Sequence, residues 1–154
     1  MQTTIYIREA KAADLPTLLL FEQEIIKAER PFDSSLKEGN IHYYDLEKML
    51  MQPDVKIAVA EVNGNIVASG YARIEDAKPY LKHRQHAYLG FMYVVPEYRR
   101  QGINRMIIDY LGAFAKENNI TELRLDVFAG NEKAVLAYEK AGFRKLLVEM
   151  EKQV

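Results

Sequence analysis

Cysteine and tryptophan are both absent from the 154-residue chain. Without a thiol there is no disulfide framework, no thiolate metal site, no iron–sulfur cluster and no acyl-cysteine intermediate. Histidine is scarce: His42, His83 and His86 are the only three, and none stands in a His-Glu-x-x-His pattern or another recognisable ligand spacing. His83 and His86 could share one helical turn, but no metal is expected. The eight glycines form no Gly-x-Gly-x-x-Gly and no Walker lysine motif, which weakens dinucleotide and NTPase readings. No run of 18 apolar residues occurs, and Met1 to Arg8 has no basic segment leading into an apolar one, so a cytoplasmic protein with no membrane partner is expected. Excess charge is missing too. Lys and Arg number 21 against 22 Asp and Glu, a formal net charge of −1, so no global field gathers nucleic acid and any anion site must be local.

What is present is a balance of 49% apolar and 28% charged residues, enough for one core and a solvated surface, and the length fits a single domain over 1–154. Ile5 to Glu9 reads as an opening strand. Asp14 is a plausible N-cap for a helix with Pro16 in its first turn, running to about Arg30. Its apolar stripe is Leu15, Leu18, Leu19, Ile25 and Ile26, and Glu22 falls near the middle of it. Such a carboxylate either reaches water at a cleft edge or serves a site. Tyr44 to Met51 reads as a short helix. Val55–Val62 and Asn65–Glu75 form a hairpin about Asn63-Gly64, the pair a type I′ turn favours. Ala87 to Val95 is an apolar, aromatic-rich strand ended by Pro96. Ile103, Met106, Ile107, Tyr110, Leu111 and Phe114 give an amphipathic helix to about Asn118. Leu123 to Phe128 alternates as a strand, Asn131 caps a helix that Gly142 and Phe143 close, and Lys145 to Glu151 reads as a final strand. The fold class is α/β with a mixed sheet: an antiparallel front half joined to a βαβ back half.

The chemistry concentrates where a strand ends at Met92-Tyr93-Val94, passes Pro96-Glu97-Tyr98 and enters a helix through Arg99-Arg100-Gln101-Gly102-Ile103-Asn104. A loop at a helix start presents backbone N–H groups at the positive end of the helix dipole, and a glycine lets an anion approach them. Arg99, Arg100 and Arg105 supply the local positive charge that the composition lacks. The arrangement suits a diphosphate.

At these residues the sequence resembles the GCN5-related N-acetyltransferase (GNAT) family, whose pyrophosphate loop reads Gln/Arg-x-x-Gly-x-Gly/Ala. Arg99, Gly102 and Asn104 stand at its marked positions, and Asn104 departs from the usual small residue. Asn131-x-x-Ala134-x-x-x-Tyr138-x-x-x-Gly142-Phe143 is similar to a second family signature. The resemblance covers the whole element order. It implies acetyl-CoA as donor, a core strand that splays from its neighbour to hold the pantetheine arm, contact of Asn131 with that arm, and Tyr138 as the acid that protonates the leaving thiolate. Many members carry a glutamate base on the core strand; here Gly90 stands there, beside Phe91. Glu22, Glu29, Glu75, Asp76, His83 and His86 are the candidate substitutes, with Glu22 favoured as base or as anchor for the substrate ammonium.

The expected activity is acetyl transfer to a primary amine by direct attack in a ternary complex. A catalytically weak acyl-CoA-sensing module of the same fold is the alternative, and a nucleic-acid-binding domain built on the arginine loop is disfavoured by the neutral charge. The acceptor is a small-molecule or peptide amine. The acidic residues Glu22, Glu24, Glu29, Asp33 and Glu38 either frame its pocket or form a solvated face. A monomer and a homodimer both fit.

Overall fold

A computed structural model describes residues 3–154. The chain runs β1 (Tyr6–Glu9), α1 (Leu15–Glu29), α2 (Leu46–Met49), β2 (Val55–Val62), β3 (Asn65–Asp76), β4 (Gln85–Val94), α3 (Ile103–Glu117), β5 (Leu123–Arg124) and α4 (Glu132–Lys140). The sheet order is β1-β2-β3-β4-β5. The first three pairings are antiparallel and β4 with β5 is parallel, α3 making the crossover. The β2–β3 turn adopts the conformation its dipeptide favours, with φ of 50° at Asn63 and 80° at Gly64.

Two apolar layers cover the sheet. Ile103, Ile107, Leu111 and Phe114 of α3 pack with Ala58, Ala60, Ala68 and Leu89. Leu18, Phe21 and Ile25 of α1 and Leu46 and Met49 of α2 pack with Ile57, Val59, Tyr71 and Phe91. Each fully buried Leu, Ile or Phe contributes about 1.5–3 kcal/mol. Leu19 and Met106, placed in the apolar stripes by spacing, are exposed, and Phe21 and Ile108 take the buried positions. Asp14 occupies the N-cap position of α1, but its side chain caps no α1 N–H. Its carboxylate instead accepts from Arg8 Nη1 at 2.8 Å and from the Lys11 N–H at 2.7 Å, fastening β1 to the helix entry. The Arg8 guanidinium holds the Asp14 carboxyl below its ordinary pKa.

The back half is looser than its sequence predicts. The strand expected over Leu123–Phe128 is two residues long, and Lys145–Glu151 forms no strand. A strand needs a neighbour as well as a pattern. With β5 ending at Arg124, this apolar segment meets no ladder, and Leu146, Leu147, Val148 and Met150 lie exposed.

Candidate active site

The anion loop is built as its sequence requires. Pro96–Tyr98 make one 3₁₀ turn after β4, and the chain turns into α3 through two left-handed residues, Arg100 at φ 63° and Gly102 at φ 78°. Gly102 is the N-cap of α3 and leaves open space where a side chain would begin. The N–H groups of the first helical turn have no helical acceptor and point out of this entry. Arg99 is exposed but tethered: its Nε donates to the Val94 carbonyl at 2.9 Å and its guanidinium lies over the Tyr93 ring, 5.8 Å from the centroid. It fastens the loop to the strand. Gln101 Nε2 donates to the Glu97 carbonyl at 3.3 Å, Ile103 is buried, and Asn104 is half-buried. Arg100 is left exposed at the loop surface.

Gly102→Val is expected to weaken acetyl-CoA binding at least tenfold by crowding the anion. The left-handed φ adds a stability loss of about 1–2 kcal/mol. Calorimetry on the folded variant checks the first effect, and unchanged affinity removes the loop from the site.

β4 is paired along its length with β3 but touches β5 only through Ala87↔Leu123 and Tyr88↔Arg124. Beyond Tyr88 no ladder joins β4 to β5, and Gly90, Phe91 and Met92 line a cleft with Tyr138 of α4. A register shift between Ser69 and Tyr71 marks the bend, where Phe91 takes φ 57° and its carbonyl accepts from the buried Ser69 hydroxyl at 2.9 Å. A strand edge of this kind offers backbone donors and acceptors to an amide-containing chain.

Asn131 caps α4 through Oδ1, which accepts from the Ala134 N–H at 3.4 Å. The other end closes with the Gly142 N–H on the Glu139 carbonyl and the Phe143 N–H on the Tyr138 carbonyl, both at 3.0 Å. Tyr138 packs edge-on against Phe143 with ring centroids 5.8 Å apart. Burial, aided by the Glu29 charge, raises its phenol to about 12.

Tyr138 shares an open cleft of about 2050 Å³ with Gly90, Phe91, Met92, Glu29, Tyr43 and Tyr44. Arg99 to Asn104, Asn131 and Glu22 lie outside its lining. Glu22 is fully buried: Oε1 lies 2.7 Å from His42 Nδ1, and Oε2 accepts from the Tyr43 N–H at 2.9 Å and the Tyr44 N–H at 2.8 Å. It binds the loop before α2 to the middle of α1. Glu29, two turns further along α1, is the helix carboxylate that reaches the cleft. Burial raises its pKa, and the nearby Tyr43 hydroxyl lowers it. That hydroxyl is buried beside the Glu29 carboxylate.

Gly90 faces Tyr71, and a Cβ there would stand 2.6 Å from the Tyr71 hydroxyl and ring carbon Cζ. The position of the expected strand glutamate is therefore occupied by an aromatic ring. Tyr44 packs edge-on against Tyr71 and Phe91 at 5.5 and 5.4 Å, completing an aromatic wall. The sequence alone does not single out Tyr71; its signal is the pairing of a strand glycine with an aromatic across the β3–β4 ladder.

The pattern of the Acetyltransferase (GNAT) family matches residues 22–143. The chain belongs to this family. It is 29% identical over 151 residues to a thialysine N-epsilon-acetyltransferase from Bos taurus, covering 92% of this chain and 85% of that one. It is also 29% identical over 147 residues to an N-alpha-acetyltransferase from Sulfurisphaera tokodaii, covering 92% and 81%. In fold it is similar to a Clostridium acetobutylicum predicted acetyltransferase solved with acetyl-CoA, with a TM-score of 0.73 and 24% identity over 97% of this chain and 96% of that one. This GNAT chain is thus an N-acetyltransferase. Among the described residues no helix is long and apolar enough to cross a membrane.

Proposed function

We propose that this acetyltransferase moves the acetyl group of acetyl-CoA to a primary amine by direct attack in a ternary complex. The observation that carries the reading is the stretch of β4 at Gly90, Phe91 and Met92, which has no β5 partner, shares a cleft with Tyr138 and leads on to the Gly102 loop. The loop N–H groups and Arg100 hold the diphosphate, the open edge of β4 holds the pantetheine amides, and Asn131 stands at the α4 entry to contact the same arm. No cysteine exists to carry an acyl group, so the amine itself attacks the thioester carbon. The C–N bond forms as the C–S bond breaks, and the Tyr138 hydroxyl gives its proton to the departing sulfur.

The amine must first lose a proton. Glu29 takes the place assigned to Glu22: it lines the cleft, whereas all Glu22 hydrogen bonds run to the loop. Glu29, with the Tyr43 hydroxyl beside it, receives the ammonium form, and a water relay or Glu29 itself accepts its proton. Glu22 is a positioning residue, setting Tyr43 and Tyr44 along the acceptor side. The two relatives carry names that specify amine acetylation at a side-chain and at an α-amino position, which supports an amino-acid-like or peptide amine as acceptor.

A panel of lysine analogues, polyamines and peptide N-termini, read by CoA release, tests the reading. Turnover with at least one amine class is expected; tight acetyl-CoA binding with no turnover across the panel favours the sensing module. With the amine so found, Glu29→Gln is expected to raise KM about tenfold or more with a smaller change in kcat. Protonation of Glu29 at its raised pKa shifts the acidic limb of the pH profile upward from where an ordinary glutamate would put it. That limb should vanish in the variant. A wild-type KM and profile would return Glu29 to a passive wall.

A further inference from the structure

At the end of β4 remote from the Gly102 loop, side chains from three stretches converge. His86 is the second residue of β4 and pairs across the ladder with Glu75. His83 lies three residues earlier, in the loop returning from β3. Glu122 immediately precedes β5, and its carbonyl accepts the Ala87 N–H at 3.0 Å. His83 Nε2 stands 3.2 Å from His86 Nδ1 and 3.3 Å from Glu122 Oε2, and one ligand atom from each of the three residues lies within 4.8 Å of the others.

From this convergence we propose that His83, His86 and Glu122 bind one divalent transition-metal ion of the zinc type. Two ligands each about 2.0–2.1 Å from a tetrahedral zinc ion stand about 3.3 Å apart, the spacing found here on both measured edges. Hydrogen bonding alone serves the cluster poorly. His83 Nε2 has one hydrogen or one lone pair, and either can serve His86 Nδ1 or the Glu122 carboxylate but not both well. A metal ion satisfies all three lone pairs together. Behind His86, Glu75 Oε2 lies 3.6 Å from Nε2, the nitrogen not turned toward His83. Arg73 grips that carboxylate through Oε1 at 2.6 Å, so a held carboxylate stands behind the ring, as one does behind many ligating imidazoles. Two imidazoles and one carboxylate select zinc-type ions over magnesium or calcium, which prefer all-oxygen sets.

One neighbour opposes binding. Arg124 Nε donates to Glu122 Oε2 at 2.6 Å, on the oxygen that faces His83. Its charge weakens the site without filling it, and its removal should tighten binding. The place of the site gives it a structural consequence: an ion there ties the loop between β3 and β4 to the start of β5, whose only other pairing with β4 is two residues long. Binding to the folded state alone would then stabilise the back half by mass action.

The test uses the full chain, stripped with chelator and titrated with Zn²⁺ by calorimetry and with Co²⁺ by visible absorption. One ion per chain is expected, with an intense four-coordinate Co²⁺ spectrum that Zn²⁺ displaces and a higher Tm in Zn²⁺ but not in Mg²⁺. His83→Ala and His86→Ala should each weaken Zn²⁺ binding at least tenfold while circular dichroism stays native, and Arg124→Gln should strengthen it. His42→Ala should bind Zn²⁺ as the wild type does. No Zn²⁺ binding at tens of micromolar, or wild-type affinity in both histidine variants, would overturn the proposal.

Discussion

Replacing Tyr138 by phenylalanine is expected to lower kcat about 10- to 1000-fold, the range of a lost proton donor, while leaving the fold intact. The substitution removes one oxygen from a ring whose contacts are otherwise apolar: it lies against Phe143 and the α3 layer. Stability should therefore change by less than about 1 kcal/mol. The phenol is suited to its role by where α4 places it. Burial first, and the Glu29 carboxylate second, raise it to about 12, so it holds its proton at every working pH. The same shift makes it a weaker acid than an unperturbed tyrosine, so the proton moves only when negative charge has developed on the sulfur. No basic limb from Tyr138 should then appear in the pH profile below its raised value. The measurement is CoA release at saturating acetyl-CoA, with single-turnover kinetics to establish that chemistry limits the rate. Full activity in Tyr138→Phe under those conditions would sink the general-acid assignment and leave the ring a packing element.

Local signals carried most of the fold. The Asn63-Gly64 turn, the Asn131 cap and the Gly142-Phe143 closure each rest on contacts within a few residues, and each formed as expected. The bounds of β2 and the run of α3 were legible for the same reason. What was not legible depends on partners distant in sequence. Lys145–Glu151 has the composition of a strand, but pairing requires a free neighbouring edge, and β5 stops at Arg124. Asp14 has the look of a cap, yet Arg8 on β1 takes its carboxylate first.

The site divides along the same line. The Gly102 loop was readable because a glycine, its flanking arginines and a helix start are one contiguous stretch. The acceptor side was not, because it joins α1, the loop before α2, β3 and β4. Helical spacing located Glu22 and Glu29 on one helix but gave no account of which carboxylate the loop at 42–44 would claim. In the sequence Gly90 shows only the lack of a strand glutamate, whereas its smallness admits the Tyr71 ring from the adjacent strand β3. Likewise His83 and His86 looked too few for a ligand set until Glu122, 36 residues beyond His86, was brought beside them.

Two substitutions at Glu22 separate a structural carboxylate from a catalytic one, and they should act in opposite orders. Glu22→Ala is expected to cost about 3–5 kcal/mol: it strands the N–H groups of Tyr43 and Tyr44 and leaves a void in α1 at a fully buried position. For a chain of this length that lowers Tm by about 6–20 °C. Glu22→Gln keeps most of the network. Its carbonyl oxygen can accept both N–H groups that now reach Oε2, and its amide nitrogen can donate to His42 Nδ1 in the neutral ring. Only the charge-assisted strength is lost, about 1–2 kcal/mol. With the loop still fastened, Tyr43 and Tyr44 keep their places, so kcat should stay within about threefold of wild type and KM for the amine should rise only slightly. A base or ammonium anchor at Glu22 requires the reverse, because the amide would preserve stability and abolish the function. Thermal unfolding and steady-state kinetics on the two variants, with Glu29→Gln measured alongside, therefore test the division proposed for the two carboxylates of one helix: the inner one for fastening the loop before α2, the outer one for meeting the amine.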